Sequence, residues 1–501
     1  MTDSSSPEVV TGSGTFRGRD DGRVAVWKGL RFAEPPVGER RWRAPVAASP
    51  GAGVVEAVAF GPAAPQPLNP VIFLGDGIAR DEDCLFLNVW APSGAVGLPV
   101  MVWVHGGAYA LGSASQPLYD GAALATSGDV VVVTLNYRLG ALGFLDLTSF
   151  GDSFDSNLAL RDVLLGLEWV RDNIAGFGGD PSAVTLFGES AGGGMVCALL
   201  AAPAAAGLFA RAIVQSSPAT SIYGTTRSRA VAQRFLTAVR ASVDEVRELP
   251  VDAIVAASTL VYDAVPSEEP GTLAFAPTVD GAVLPEHPIT VLREGRGHPV
   301  PLVIGTNRDE ATLFKFMKSP LIPITEEKIT AMLRQLAEES PGTVLPTREQ
   351  LSGAYEGVRQ RMLGLGVARD IGFRMPTVWL TEGHSAIAPT WLYRFDHATP
   401  MLRLIGIGAA HATELPYTWG NFGASKKDFT FRLGGRRAAL EISRRLMGRW
   451  TAFAHGDPPG DDWPAYGDDR ATLVIERHDR VEPDLDGALR KGWGDQVLSF
   501  S

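Results

Sequence analysis

Residues 188–192 place one serine between two glycines, in the order Gly-Glu-Ser-Ala-Gly. An apolar run at 184–187 precedes them and small residues follow from 191, which predicts a strand, a tight turn and a helix. A serine on such a turn lies exposed at the carboxyl end of a sheet, and the amides that open the helix face it. The pattern predicts that Ser190 is a nucleophile and that the Ala191 amide faces a developing anion. The alternative is an ordinary buried turn serine.

A second glycine-rich turn, His105-Gly106-Gly107-Ala108, follows directly on an apolar run at 98–104. Two adjacent glycines let backbone amides turn toward a substrate carbonyl oxygen. The candidate oxyanion donors are therefore the amides of Gly107, Ala108 and Ala191. We expect His105 to pack structurally, because it lies so close to this loop.

A serine hydroxyl needs a base, and the base needs a carboxylate that fixes its tautomer. In chains with this kind of turn the order is serine, acid, histidine, and each partner follows a strand. Asp309 and Glu310 both follow a predicted strand at 301–305, and their spacing does not separate them. Position favours His397 as much as His411, so the residues alone leave both choices open.

The elements that must position these side chains form one α/β pattern. Continuous apolar, β-branched runs are typical of strands buried on both faces of a sheet that helices cover. Apolar residues that recur at three and four positions predict an amphipathic helix at 156–174, and a further helix is predicted at 440–454. The Asp21-Gly22 turn predicts a hairpin of residues 14–19 and 23–30. The predicted strands lie at 98–104, 130–135, 184–187, 212–215, 301–305 and 391–395.

Strand and helix alternate over most of the chain, which favours a single domain over 1–501 with a helical excursion at about 315–385. Of the 501 residues, 45% are hydrophobic and 20% charged, so the composition excludes a disordered chain. The net charge of −11 and the lack of a basic run disfavour a nucleic-acid partner. We expect a monomer or weak homo-oligomer.

The chain ends and the cysteines predict a cytoplasmic protein. The first ten residues lack the features of a signal peptide, and the longest apolar run, 195–210, is too short to span a membrane. Cys84 and Cys197 are the only cysteines, and two cysteines in a chain of this length do not form a disulfide framework. No cofactor is expected, because the chain has no Gly-Lys dipeptide of a P-loop. No metal is expected either. His411 and Glu414 have the His-x-x-Glu spacing of some metal sites, but no second cluster of metal-ligating residues accompanies them.

Eight ordered segments resemble the type-B carboxylesterase/cholinesterase family, and in particular its bacterial p-nitrobenzyl esterase-like carboxylesterases. The segments are FAEPPVGERRW, EDCLFLNVWAP, VMVWVHGGAY, VVVTLNYRLG, FGGDP, FGESAGG, IGTNRDEATLF and HATELPYTWGN. The resemblance implies an α/β-hydrolase fold, with a large, mostly parallel central sheet flanked by helices and helical excursions over the active-site end.

By the same resemblance, Glu310 is the acid and His411 the base of a triad with Ser190. The oxyanion donors carry over to Gly107, Ala108 and Ala191. The resemblance also implies supporting positions and an ion pair between Arg41 and Glu82. The supporting residues are Gly106, Glu189 and Asp309.

Three departures from the family pattern are informative. Cys84 has no upstream cysteine to bridge, which agrees with an intracellular protein. The loop that such a bridge would close contains no tryptophan, so choline specificity is not expected. Ala108 stands where many relatives have glycine, a change that the bacterial esterases share.

The expected reaction is hydrolysis of carboxylic esters through an acyl-enzyme, with activity that falls on the acid side as the histidine is protonated. The alternatives are amides, carbamates or aromatic diesters cleaved by the same triad and, more remotely, a non-catalytic binding protein on this scaffold. We expect an apolar pocket for a small ester with short to medium acyl or aryl groups. Its candidate lining residues are Tyr109, Ser217, Phe275, Leu313 and Phe314.

Overall fold

The computed structural model describes residues 6–69, 72–340, 342, 344–356, 360–424 and 428–500. Within these residues eleven strands form one central sheet. In chain order they are β1 (Arg19–Asp20), β2 (Val24–Arg31), β3 (Phe86–Pro92), β4 (Leu98–Val104), β5 (Val131–Leu135), β6 (Gly179–Glu189), β7 (Arg211–Gln215), β8 (Leu302–Asn307), β9 (Thr390–Phe395), β10 (Thr472–Ile475) and β11 (Arg480–Glu482).

The strands lie side by side in the order β1-β2-β3-β5-β4-β6-β7-β8-β9-β10-β11. Seven adjacent strands are parallel to one another, in the order β5-β4-β6-β7-β8-β9-β10, and antiparallel strands complete both edges. The register aligns the carboxyl ends of β4, β6, β7 and β8, because Val104 lies beside Gly188 and Glu189 beside Gln215. Loops from these strands therefore meet at one edge of the sheet, where α/β folds bind ligands.

Helices cover both faces of the sheet, so alternate side chains of one strand enter different cores. In β4, Val100, Val102 and Val104 pack on one side, while Met101 and Trp103 pack on the other. The α-helices are Ala122–Gly128, Gly140–Phe144, Leu158–Asn173, Ala191–Ala201, Thr225–Val239, Val251–Glu268, Pro288–Arg293, Ala311–Met317, Glu326–Glu339, Arg348–Ala354, Gln360–Arg369, Met375–His384, Pro400–Leu404, Leu415–Trp419, Arg436–His455 and Gly487–Trp493.

Shorter elements connect the main ones. A π-helical turn, Asp370–Arg374, joins two of the helices. Two small sheets lie outside the central one. The first contains Glu8–Thr11, Gly14–Arg17 and Val54–Glu56, and the second contains Tyr223–Gly224 and Thr278–Val279. The 3-10 turns are Gly38–Arg40, Pro117–Tyr119, Thr148–Phe150, Ile174–Phe177, Pro203–Ala205 and Val246–Glu248.

This architecture confirms the α/β-hydrolase prediction but changes the first hairpin. Only β1 pairs with β2, whereas Gly14–Arg17 pairs with Glu8–Thr11. The buried Phe16 ring packs near Phe177 and draws this part of the chain into the small sheet. The predicted hairpin was therefore wrong over residues 14–17.

The predicted helix at 156–174 begins two residues late, at Leu158. Asn157 precedes it with φ 51°, and its side-chain amide donates to the Thr278 carbonyl and the Asp280 carboxylate. Helices occupy most of the described part of 315–385, the region of the expected helical excursion. The single-domain organisation stays a prediction. Among the described residues, no helix is long and apolar enough to cross a membrane.

Candidate active site

Ser190 occupies the junction between β6 and the helix Ala191–Ala201, with φ 55° and ψ −124°. Residues other than glycine rarely adopt this backbone conformation, so the surrounding structure must enforce it. The flanking glycines allow the tight turn, because a Cβ atom on Gly192 would lie 2.0 Å from the Val104 carbonyl oxygen. The Ser190 amide donates to the Gln215 carbonyl of the neighbouring strand at 3.0 Å. The turn therefore fixes the hydroxyl at the carboxyl edge of the sheet.

His411 connects this hydroxyl to a buried carboxylate. The Ser190 hydroxyl donates to Nε2 of His411 at 2.8 Å, and Nδ1 of His411 donates to Oε2 of Glu310 at 2.7 Å. The other oxygen of Glu310 accepts the Asn307 amide at 2.6 Å. Glu310 is fully buried and His411 nearly so. This chain of hydrogen bonds can take a proton from the hydroxyl and stabilise the imidazolium that forms.

Neither alternative partner reaches the serine. The Asp309 carboxylate accepts the Ala409 amide at 3.0 Å, and burial raises its pKa. His397 packs edge-on against Phe395 and Tyr417, and burial lowers its pKa to about 4. The structure therefore brings Glu310 and His411, rather than Asp309 and His397, to Ser190.

Glu189 places a further carboxylate beside the imidazole. Its Oε1 lies 3.2 Å from Nε2 of His411. Burial raises the pKa of Glu189 to about 8. Burial alone would lower the pKa of His411, but the charges of Glu189 and Glu310 raise it to about 9. The imidazole thus lies in a strongly negative, buried environment that favours its protonated form.

Glu414 completes this buried cluster, although its spacing from His411 in the sequence suggested only half of a metal motif. Its Oε1 accepts the Gln215 side-chain amide at 3.2 Å, and Oε2 accepts the Asn307 side-chain amide. Burial raises the pKa of Glu414 to about 7. The sequence signal that could have indicated Glu414 is its place three residues after His411, because residues three apart lie on the same side of a helical turn.

The Gly106–Ala108 loop passes directly beside the serine. A Cβ atom on Gly106 would lie 2.8 Å from Oε2 of Glu189 and 3.1 Å from the Ser190 Cβ. Gly107 and Ala108 both have positive φ angles, of 125° and 50°. Ala108 and Ala191 line the same cleft as Ser190. Their backbone amides are thus close enough to the reaction site to be considered as donors to an oxyanion.

His105 packs structurally, as expected. Its ring stacks on Tyr137 with centroids 4.4 Å apart, and Nδ1 donates to the Gly106 carbonyl at 2.8 Å. Burial lowers the pKa of His105 to about 4. These contacts hold the first residue of the loop in place.

The cleft beside Ser190 has a mainly apolar lining. Tyr109 and Phe314 contribute to it, and the rings of Phe314 and Phe373 pack against His411 at centroid distances of 5.2 and 4.7 Å. No charged side chain of the described residues lines the cleft. Further lining residues are Leu273, Ile322, Met332, Ile371, Leu498 and Phe500.

Three of the predicted pocket residues lie outside this lining. The Ser217 hydroxyl lies 3.4 Å from Sγ of Cys197, and Phe275 is buried near Gly140. Leu313 packs against Ile407 and its neighbours, because adjacent positions of the short helix point in different directions. The structure does not bring these three side chains to the cleft beside Ser190. Proximity to a motif in sequence did not give the direction of the side chain.

The expected ion pair between Arg41 and Glu82 is present, with Nε 2.6 Å from Oε1. Both cysteines are free and buried. Burial raises the pKa of the Cys197 thiol to about 12. Neither thiol is therefore a reactive group under ordinary conditions.

Comparison with known proteins places this site in a family. A family model described as "Carboxylesterase family" matches residues 5–487. The chain is 36% identical to the para-nitrobenzyl esterase of Bacillus subtilis over 495 residues, which covers 96% of this chain and 97% of that protein. It is 32% identical to the phenmedipham hydrolase of Pseudarthrobacter oxydans, over 94% of this chain and 95% of that protein.

Solved structures agree with these relatives. A PNB esterase structure superposes with a TM-score of 0.85 at 34% identity, and the match covers 98% of this chain and all of that one. A carboxylesterase of Geobacillus stearothermophilus superposes with a TM-score of 0.83 at 34% identity, over 97% of this chain and all of that one. The chain therefore belongs to the carboxylesterase family and is a carboxylic ester hydrolase.

Proposed function

We propose that the enzyme hydrolyses uncharged carboxylic esters through an acyl-enzyme formed on Ser190. The hydrogen-bonded chain from Ser190 through His411 to Glu310 carries this proposal. Oγ of Ser190 attacks the ester carbonyl carbon while its proton passes to Nε2 of His411. The carboxylate of Glu310 accepts the Nδ1 proton in a hydrogen bond and stabilises the imidazolium.

The carbonyl oxygen becomes negative as the new C–O bond forms. The amides of Gly107, Ala108 and Ala191 donate to this oxyanion. When the tetrahedral intermediate collapses, Nε2 of His411 returns its proton to the departing alkoxide, and the alcohol leaves. Water then attacks the acyl group in the same way, His411 again acts as base and acid, and the carboxylic acid is released.

The lining of the cleft favours binding of neutral substrates with apolar groups of short to medium length. Its described lining offers no carboxylate to a cationic alcohol and no basic side chain to an anionic one. Apolar groups that enter it gain on the order of 25 cal/mol for each Å² removed from water. Aryl and alkyl esters are therefore the proposed substrate class.

A panel of matched substrates tests this function. We expect p-nitrophenyl butyrate to give a higher kcat/KM than the p-nitroanilide of the same acid or a p-nitrophenyl carbamate. His411→Ala loses most of the turnover, whereas His397→Ala is the matched control and keeps it. A higher kcat/KM for the anilide or the carbamate would show that esters are not the main substrates, and turnover retained in His411→Ala would refute the assigned base.

We further propose that the enzyme works as a monomer or weak homo-oligomer in a reducing, bacterial cytoplasm, without a nucleic-acid or membrane partner. Two free, buried thiols and relatedness to a Bacillus esterase support this. Light scattering on the purified protein measures the mass, and cell fractionation measures the location. A stable higher oligomer or an enzyme recovered outside the cytoplasm would contradict the proposal.

A further inference from the structure

Residues 494–500 return to the catalytic edge after the helix Gly487–Trp493 and are fixed there. The Trp379 indole donates to the Gly494 carbonyl at 3.0 Å, and the Gln496 side-chain oxygen accepts the Val344 amide at 2.9 Å. Leu498 and Phe500 are then buried. This segment therefore has a defined position against the rest of the enzyme.

Leu498, Ser499 and Phe500 line the same cleft as Ser190. Phe500 meets Gly271 and Met332 there, because a Cβ atom on Gly271 would lie 3.5 Å from Cε2 of Phe500 and 2.5 Å from Sδ of Met332. Gly271 has φ 88°, which favours glycine and leaves this space to the two larger side chains. Three distant parts of the chain thus form one wall of the cleft.

A partly buried charge cluster lies against the Phe500 ring. The guanidinium of Arg227 lies 5.1 Å from the ring centroid of Phe500 and 5.2 Å from that of Tyr223. Arg227 also forms ion pairs with Glu269 and Glu339. A cation held over an aromatic face by two carboxylates restrains the ring, so the wall cannot easily yield to a longer substrate.

We propose that Phe500 is a specificity-determining residue that limits the length of the apolar group that the cleft accepts. This inference rests on the proposed ester hydrolysis at Ser190. The substrate class that it specifies is an uncharged ester whose apolar group ends against the wall formed by Gly271, Met332 and Phe500. A smaller side chain at position 500 lengthens this space and leaves the reacting atoms in place.

The test compares kcat/KM for p-nitrophenyl acetate, butyrate, octanoate and decanoate in wild-type enzyme and in Phe500→Leu and Phe500→Ala. We expect the ratio of octanoate to acetate to rise from wild type to Phe500→Leu to Phe500→Ala. The increase should reach at least about tenfold, since one methylene in an apolar pocket changes discrimination by about that factor. Phe209→Ala is the matched control, because Phe209 is 6% exposed, as is Phe500, but packs against His298 away from the cleft.

The outcomes separate this inference from the proposed function. If acetate turnover persists and the octanoate-to-acetate ratio stays at the wild-type value in both Phe500 variants, Phe500 does not set the length. An equal rise in Phe209→Ala would show that general loosening, and not the wall, changes the ratio. Phe500→Leu keeps an apolar core residue, so it provides the measurement if Phe500→Ala does not fold. If the wild-type enzyme does not hydrolyse esters as its main substrates, the proposed function itself is refuted.

Discussion

Glu189→Gln tests how the buried carboxylates act on the proposed base. The variant keeps the shape of the side chain and removes its negative charge. Only neutral His411 can accept the Ser190 proton, so activity is lost as the pH falls through the pKa of the imidazole. The neighbouring carboxylates raise that pKa, and we expect the acid limb of kcat/KM in the wild type to lie above the ordinary histidine value of about 6.5.

The distance between the two groups gives the size of the expected change. A full charge on Glu189, 3.2 Å from Nε2 of His411, contributes ~5 kcal/mol at an effective dielectric constant of about 20. Burial raises the pKa of Glu189 to about 8, so the group loses its charge as the pH falls through that value. We therefore expect the acid limb to move down by at least about one pH unit, or ~1.4 kcal/mol. The titration belongs to the whole cluster, and its apparent value is the quantity to compare.

The assay is kcat/KM for p-nitrophenyl acetate from about pH 5 to about pH 10, corrected for spontaneous hydrolysis. Asp309→Asn serves as a matched variant, because Asp309 is a half-buried carboxyl with a raised pKa but is not among the main groups that shift the pKa of His411. We expect it to leave the apparent pKa of the acid limb in place. An unchanged acid limb in Glu189→Gln, or an equal shift in Asp309→Asn, would refute the electrostatic reasoning.

Two further predictions concern packing. In Gly194→Ala the new methyl group would lie 2.1 Å from the Tyr109 hydroxyl, so we expect a displaced oxyanion loop and a kcat lowered at least about tenfold. Gly448→Ala, at an exposed helix position with free space around it, should keep the wild-type kcat. Equal kcat in both variants would contradict the contact. In Glu82→Gln the buried Arg41 loses its charged partner, and we expect the free energy of unfolding in urea to fall by about 3 kcal/mol; an unchanged urea midpoint would show that the pair does not stabilise the fold.

Most of the central sheet could be predicted because its strands are buried on both faces. Residues in β4 and β5 form continuous, mainly apolar runs rich in valine, and this signal is local. The first hairpin could not be predicted, since the choice between two partners for Gly14–Arg17 depends on where Phe16 finds its core. Such a choice is made by tertiary packing, and the local alternation of residues is the same in either case.

In the site too, features that depend on contiguous residues could be predicted from the sequence, whereas features that depend on residues far apart in the sequence could not. The strand, turn and helix around Ser190 are contiguous, and their pattern alone predicted the nucleophile. Spacing could not separate Asp309 from Glu310, because adjacent residues after a strand differ only in the direction of their side chains. The resemblance to a family selected Glu310, and the structure brings that carboxylate to His411. No local pattern could indicate Phe500, since the residues that it meets at the cleft, Gly271 and Met332 among them, are far away in the sequence.

Labelling with a p-nitrophenyl alkylphosphonate tests the central claim most directly. The reagent releases p-nitrophenol and leaves a stable, tetrahedral phosphonate ester on an activated serine. We predict one adduct per chain in the intact mass, located on Ser190 by peptide mapping, and esterase activity that falls in proportion to the labelled fraction. Full labelling of Ser190 with activity retained, or complete inactivation with Ser190 unlabelled, would contradict the assignment of Ser190 as the nucleophile.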